Sequence, residues 1–330
     1  MIAYSKKEKF NDKEVLVSIS CLTFNHELYI RQCLEGFIIQ KTNFAFEVLI
    51  HDDASTDKTA EIIKEYEVKY PEIIKPIYQS ENQYSKGVSV SSAYNFPRAK
   101  GKYIAMCEGD DYWTDPLKLQ KQFDYLEMNK NCSLVFTNYS IAYDNNKVIK
   151  NEHISDYSFN GIFKTNPIRT VSVCFRADYL NEIINNKPKD YPFLDLSLFL
   201  SLAIKGEIGL INENTCVYRY HYSSMTHIRD IETKLKFIET KFKIRNYFIE
   251  NFNLKPELKK YAITNRLIEG YKSTLIYDLD RKYIDFERNK IKKYKDYNIP
   301  ITFRIFSKNV WLEKIFRYFV GYYLSIKKRK

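Results

Sequence analysis

Apolar blocks alternate with amphipathic stretches through the first 110 residues. Val15–Leu22 (VLVSISCL) is an uninterrupted, β-branched-rich run, suited to a strand buried on both faces. Leu28–Gln40 then sets Ile30, Leu34, Phe37 and Ile38 at helical spacing. The pattern goes on to predict a strand at Phe46–His51, a helix at Asp57–Tyr70, a strand at Ile73–Gln79, a helix at Val88–Lys100 and a strand at Lys102–Cys107. Strands alternating with helices predict a mainly parallel, doubly wound sheet, whose ligands sit beyond the carboxyl ends of the strands. Asp115–Asn129 reads as a helix with Pro116 in its first turn and Leu119, Phe123 and Leu126 on its buried side. Further strands are expected at Ser133–Thr137, Thr170–Phe175, Ile208–Ile211 and Thr215–Tyr220, and a short apolar helix at Asp195–Lys205. Beyond about residue 230 only helices are expected, with Ile231, Leu235, Ile238 and Phe242, then Tyr261, Ile268, Tyr271 and Leu275, at helical steps.

Composition sharpens this picture in one respect. The 330 residues are 45% hydrophobic and 28% charged, enough apolar surface for a real core. The net charge of +11 is unevenly placed: residues 1–230 hold 27 Lys and Arg against 30 Asp and Glu, and residues 231–330 hold 25 against 11. A near-neutral domain over 1–230 and a basic helical extension over 231–330 are therefore expected. The basic helices carry no recognised nucleic-acid motif, so no nucleic-acid partner is expected. Six cysteines lie singly, without a CxxC pair, and read as buried thiols of a reducing compartment. The start MIAYSKKEKFNDKE lacks an apolar signal region, and no apolar run reaches 18 residues, so a cytoplasmic protein without a spanning helix is expected.

The chemistry gathers at the strand ends. Thr23-Phe24-Asn25-His26 follows the first strand, Asp52-Asp53-Ala54-Ser55-Thr56-Asp57 the second, and Glu108-Gly109-Asp110-Asp111 the fourth. Ser55 and Asp57 suit a helix N-cap as well as ligand contact. Two adjacent aspartates at the end of a buried strand suffer desolvation and mutual repulsion, so Asp52 and Asp53 are read as acceptors for donor groups of a ligand. Three carboxylates within four residues call for a cation, and oxygen ligands favour Mn²⁺ or Mg²⁺ completed by substrate phosphates. There is neither a GxGxxG nor a GxxxxGK[ST] motif, which argues against Rossmann dehydrogenases and P-loop NTPases.

With these residues in hand, SISCLTFNHELYIRQCLEGFIIQ, FEVLIHDDASTDKTAEIIKEY and AKGKYIAMCEGDDYWTDPLKLQKQFDYLE resemble the nucleotide-sugar-binding half of the family 2 glycosyltransferases of GT-A fold. The likeness continues through FLDLSLFLSLAIKGEIGLINENTCVYRYH and spans roughly residues 14–225. It implies an α/β fold with a Rossmann-like, doubly wound, mainly parallel sheet, followed here by an α-helical C-terminal extension. It also implies a metal-dependent, inverting transfer of a sugar from a nucleoside diphosphate sugar, by family habit UDP-linked, to a hydroxyl of a glycan or lipid-linked acceptor. Residue by residue, it places Phe24 against the donor base, Asp53 at the base or ribose with Asp52 beside it, and Asp110 and Asp111 in the metal motif, Asp111 the more direct ligand. Glu108 stands where the family commonly has Asp and is not assigned to the metal. Asp195 falls at the position of the base that takes the acceptor proton, although a helix N-cap explains it equally from the sequence. His221 is read as a third metal ligand or phosphate contact, with an ordinary surface histidine as the alternative. Lys86 and Arg219 are weaker candidates for neutralising phosphate, and Trp113 either faces a sugar or belongs to the core.

Leu312, Ile315, Phe319, Tyr323 and Ile326 form an apolar stripe flanked by Lys314, Arg317 and the closing Lys327–Lys330. Such a basic amphipathic helix suits the anionic inner face of the cytoplasmic membrane, and equally packing on the protein's own helices. Two other readings of the chain remain: a nucleotidyltransferase-like enzyme, which usually has a Gly-rich basic loop that is absent here, and a non-catalytic glycan- or membrane-binding protein, which would have lost the acidic clusters.

Overall fold

The structure, a computed structural model, describes residues 14–143, 147–185, 194–221, 230–278, 282–293, 297, 299–309, 311–313 and 315. The chain divides into two compact units, 1–221 and 222–330.

In the first unit β1 (Val15–Thr23), β2 (Ala45–Asp52), β3 (Ile74–Tyr78) and β4 (Tyr103–Met106) run parallel in the order β3-β2-β1-β4, joined by α1 (Ile30–Ile38), α2 (Thr59–Lys69) and a π-helical turn over Ser91–Asn95 that leads into the one-turn α3 (Phe96–Arg98). The expected alternation is present, with Val88–Lys100 tightened to this short irregular helix. β5 (Tyr112–Trp113), α4 (Lys118–Met128), β6 (Cys132–Tyr143), β7 (Lys147–Glu152), α5 (Phe159–Thr165), β8 (Val173–Arg176), α6 (Leu180–Asn185), α7 (Asp195–Lys205) and β9 (Glu207–Tyr220) follow. The helix expected from Asp115 starts only at Lys118, because the Asp115 carboxylate accepts from Leu117 N at 2.9 Å and Pro116 remains outside. Thr170–Ser172 is a 3₁₀ turn rather than strand. The two strands expected between Ile208 and Tyr220 are one, which pairs in parallel with β6 along its length through register shifts near Asn138.

The sheet continues β4-β8-β6-β9-β5, with antiparallel β8 reversing the direction between β4 and β6. The core lies between this sheet and its helices. Val17, Ile19 and Cys21 of β1, Val48 and Ile50 of β2, and Leu34 and Phe37 of α1 are fully buried, consistent with the continuous apolar runs of strands covered on both faces. All six cysteines are buried free thiols. One polar residue ties the central strands from within: Asn95, fully buried, donates to Ser20 Oγ at 3.1 Å, Cys21 O at 3.3 Å and Leu49 O at 2.9 Å, and accepts from Arg98.

The second unit is helical among its described residues: α8 (Ile231–Asn251), α9 (Pro256–Tyr277), α10 (Ile284–Lys293) and α11 (Ile301–Lys308). Leu267, Tyr271, Leu275, Ile284 and Ile291 form its core. Its buried acids are matched by arginines, Glu287 with Arg266 at 2.6 Å and Glu313 with Arg288 at 2.7 Å, so their charges are not left alone in the interior. No helix among the described residues is long and apolar enough to cross a membrane. Most of the apolar stripe from Leu312 onward lies outside the described residues.

Replacing Asn95 with Ala leaves three buried carbonyl and hydroxyl acceptors without their donor and should cost ~2 kcal/mol. Denaturant unfolding of the variant should show that loss with an unchanged m-value.

Candidate active site

Parallel pairing brings three polar segments to one edge. Thr23 lies beside Asp52 in the β1–β2 register. Past the end of β4 the chain keeps to β1, with Cys107 N on Ser20 O at 3.1 Å and Gly109 N on Leu22 O at 2.8 Å. A Cβ at Gly109 would stand 2.7 Å from Thr23 Oγ1, so the close approach of these segments requires glycine there.

The loops after β1 and β2 are laced together by reciprocal bonds. Asn25 N donates to Ser55 Oγ at 2.9 Å, Thr56 N to Asn25 Oδ1 at 2.8 Å, Glu27 N to Asp57 Oδ2 at 3.1 Å and Lys58 N to Glu27 Oε2 at 3.0 Å. Asn25 and Ala54 take positive φ to make this fit. Asp57 also accepts from Thr59 N at 2.9 Å, just before the first turn of α2, whose N-cap is Lys58 without a side-chain cap bond. Phe24, at the head of this knot, is 43% exposed.

Asp52 and Asp53 are both engaged by neighbouring residues. Asp52 is buried and engaged by the Ser55 hydroxyl, and burial raises its pKa above the ordinary value. Asp53, expected to meet the base or ribose, accepts from Gln83 N at 2.8 Å and Tyr84 N at 3.0 Å, and lies 3.3 Å from His51 Nε2. Here it anchors the loop after β3. Lys86, on that loop, pairs with Glu81 at the surface.

The acidic motif splits its two aspartates. β5 pairs with β9, setting Tyr112 opposite Val217, and this carries Asp111 to the end of β9. There the fully enclosed Asp111 accepts from Arg219 N at 2.7 Å. Burial, with the charges of Asp110 and Glu108, holds its pKa well above the carboxylate range. Asp110 points the other way, its Oδ2 2.9 Å from His221 Nε2 and 3.9 Å from His26 Nε2. Burial pushes Asp110 up, but the His221 hydrogen bond and the two imidazoles outweigh it and leave it below the ordinary value. Asp111, expected as the more direct ligand, thus meets a backbone amide, while Asp110 meets the two imidazoles. Arg219 is a strut: its guanidinium donates to Asp110 O at 2.6 Å and to Gln32, and lies 4.4 Å from the centre of the Tyr112 ring. Trp113 belongs to the core, with Nε1 on Val171 O at 2.9 Å and its ring edge-on to Phe37.

Asp195 occupies the first turn of α7 without being its N-cap, which is Leu194. Its Oδ1 accepts from Leu196 N at 2.7 Å and its Oδ2 from Asn166 Nδ2 at 2.9 Å. Thr170 donates to the Glu108 carboxylate, and burial, followed by repulsion from Asp110 and Asp195, lifts its pKa to about 7. Sequence reasoning assigned no role to His26, Asn166 or Thr170. His26 stood in the cluster after the first strand and Thr170 at the start of an expected strand, while Asn166 lies in a stretch without periodicity. A cleft of about 860 Å³ opens where β6 and β9 begin, at the opposite edge, so size alone does not mark the site.

Among the described residues no group of three or more His, Cys, Asp or Glu is arranged to hold a metal by itself. Asp110 and His221 offer two ligands, a donor set that fits a cation completing its shell with phosphate oxygens and water.

Residues 18–185 match the family described as glycosyl transferase family 2. The chain belongs to that family. An uncharacterized protein of Mycobacterium tuberculosis is 38% identical over 229 residues, covering 68% of this chain and 64% of the relative, so the chain spans less than two thirds of that protein's length. The putative teichuronic acid biosynthesis glycosyltransferase TuaG of Bacillus subtilis is 30% identical over 207 residues, 62% of this chain and 78% of TuaG. Staphylococcus aureus TarS 1–349, solved in complex with UDP-GlcNAc, superposes with a TM-score of 0.61 at 16% identity, over 84% of this chain and 80% of that one. At that identity the likeness carries the fold: a mixed α/β, GT-A-type glycosyl transferase family 2 domain followed by helices.

The raised pKa of Glu108 has a definite sign. Folding favours its neutral form, so its contribution is full below about pH 4.5 and is lost as pH rises through about 7. In metal-free protein, Glu108→Gln should be ~1–3 kcal/mol more stable than wild type at pH 8. Denaturant titrations across pH should show that gap narrowing as the pH falls to about 4.

Proposed function

We propose that the protein transfers a sugar from a nucleoside diphosphate donor, UDP-linked, to a hydroxyl of a glycan or lipid-linked acceptor in cell-surface polysaccharide synthesis, inverting the anomeric carbon. One observation carries this reading: Asp110 faces His221 and His26 at the edge where the parallel strands end. UDP-GlcNAc in TarS supports the nucleotide, and the teichuronic acid name of TuaG supports the kind of product.

In this reading Phe24 lies against the base, on a floor shaped by Asp52 and by the loop that Asp53 holds. Asp110 and His221 would hold Mn²⁺ or Mg²⁺, a cation whose remaining positions suit phosphate oxygens. When bound, that cation neutralises the charge that develops on the departing diphosphate. Asp195 takes the proton of the acceptor hydroxyl while that oxygen bonds to the anomeric carbon, opposite the breaking bond to the diphosphate. Asn166 and the Leu196 amide hold the Asp195 carboxylate in one orientation for that transfer. The catalytic domain then comprises residues 1–230, and the basic extension 231–330 sets the enzyme against an anionic membrane or its acceptor.

UDP should raise the melting temperature only when Mn²⁺ or Mg²⁺ is present, and Asp195→Asn should keep that shift while losing transfer by about 10²–10⁴-fold. A shift indifferent to metal would remove the donor site, and near-normal turnover of Asp195→Asn would remove Asp195 as the base.

A further inference from the structure

Next to Asp195, on the other side of Asn166, lies a cleft of about 460 Å³ that the donor chemistry leaves unused. Tyr139 and Ile141 of β6 form one wall, and His153, Lys164, Asn166 and Arg169 contribute polar groups. Asn166 is a buried residue, 8% exposed, held at φ 45° at the end of α5. Its amide nitrogen is committed to Asp195, while its Oδ1 is buried without a hydrogen-bond partner. A buried acceptor left bare is costly, and a ligand hydroxyl or N–H arriving in the cleft would satisfy it.

Arg169 gives a second, independent sign. Its guanidinium lies 5.3 Å from the centre of the Tyr218 ring, it makes no ion pair among the described residues, and its Nε is buried and unbonded. Among the described residues Asp156 is the one carboxylate on the cleft wall, and Ser158 already occupies its Oδ1, through Oγ at 2.6 Å and N at 3.2 Å. Among the described residues the lining therefore leaves the Arg169 guanidinium without a carboxylate partner. A pre-oriented arginine without a carboxylate is arranged for an incoming anion.

We propose that this cleft binds the acceptor and that the acceptor carries an anionic group, phosphate or carboxylate, close to the hydroxyl it offers. The Arg169 guanidinium receives the anion, and Asn166 Oδ1 accepts from the sugar, which directs the nucleophilic hydroxyl toward Asp195. Arg169 is a specificity-determining residue in this arrangement. The proposal rests on Asp195 as the base and names the class of its substrate.

The test uses full-length protein saturated with UDP and Mn²⁺, so that the donor site is filled before a probe is added. N-acetylglucosamine 1-phosphate, methyl glucuronide and neutral methyl N-acetylglucosaminide are titrated separately by calorimetry. At least one anionic sugar should bind about tenfold or more tightly than the neutral one. Arg169→Gln should lose that preference, and Arg169→Lys should keep most of it, which separates loss of charge from loss of packing on Tyr218. The stronger of the two anions distinguishes a phosphate-linked acceptor from a uronic acid. Equal binding of all three probes, binding of none, or a preference that survives in Arg169→Gln overturns the proposal. UDP–Mn²⁺ affinity is measured first in every variant; its absence counts against the donor site and not against the cleft.

Discussion

A single backbone amide, Arg219 N, sets the chemistry of this site by holding the enclosed Asp111 carboxylate at 2.7 Å. The bond exists because β5 pairs with β9, which brings the end of the acidic motif to the end of the last strand. Two adjacent carboxylates at a strand end cannot both face the same space without severe repulsion. Fixing one to backbone turns its neighbour outward, and Asp110 then meets His221 and His26. The guanidinium of Arg219 completes the brace by holding Asp110 O and Gln32.

Rigidity elsewhere follows the same logic of spending polar groups on structure. Asp53 fixes the loop after β3, Asp57 and Asn25 lace the first two loops, and Asn95 ties β1 to β2 from inside. Each carboxylate used in this way holds a loop at the edge where Asp110 lies. Preorganised groups of this kind need little rearrangement when a charged substrate arrives.

The parallel half of the sheet was legible from periodicity, since Val15–Leu22 and Phe46–His51 are apolar runs that only doubly covered strands require. The site was legible as three clusters on one edge, because parallel pairing converts strand ends into neighbours. The distribution of labour within each cluster was not. Which of Asp110 and Asp111 is buried depends on the two-residue strand β5, too short to leave a periodic signal. Asp53 bonds to amides thirty residues away, and Asn166 approaches Asp195 from a segment without pattern. The uneven charge marked a basic region from residue 231 onward, but not the buried Arg266–Glu287 and Arg288–Glu313 pairs within it.

In the proposed mechanism Asp110 and His221 would together hold the divalent cation that accompanies the nucleoside diphosphate. Pulsed electron paramagnetic resonance of Mn²⁺ bound with UDP tests it most directly, because a coordinated imidazole imprints a ¹⁴N coupling on the metal. The wild-type protein should show that coupling, His221→Gln should lose it, and Asp110→Asn should lose Mn²⁺ binding. A Mn²⁺–UDP complex without nitrogen coupling, unchanged in both variants, would contradict it.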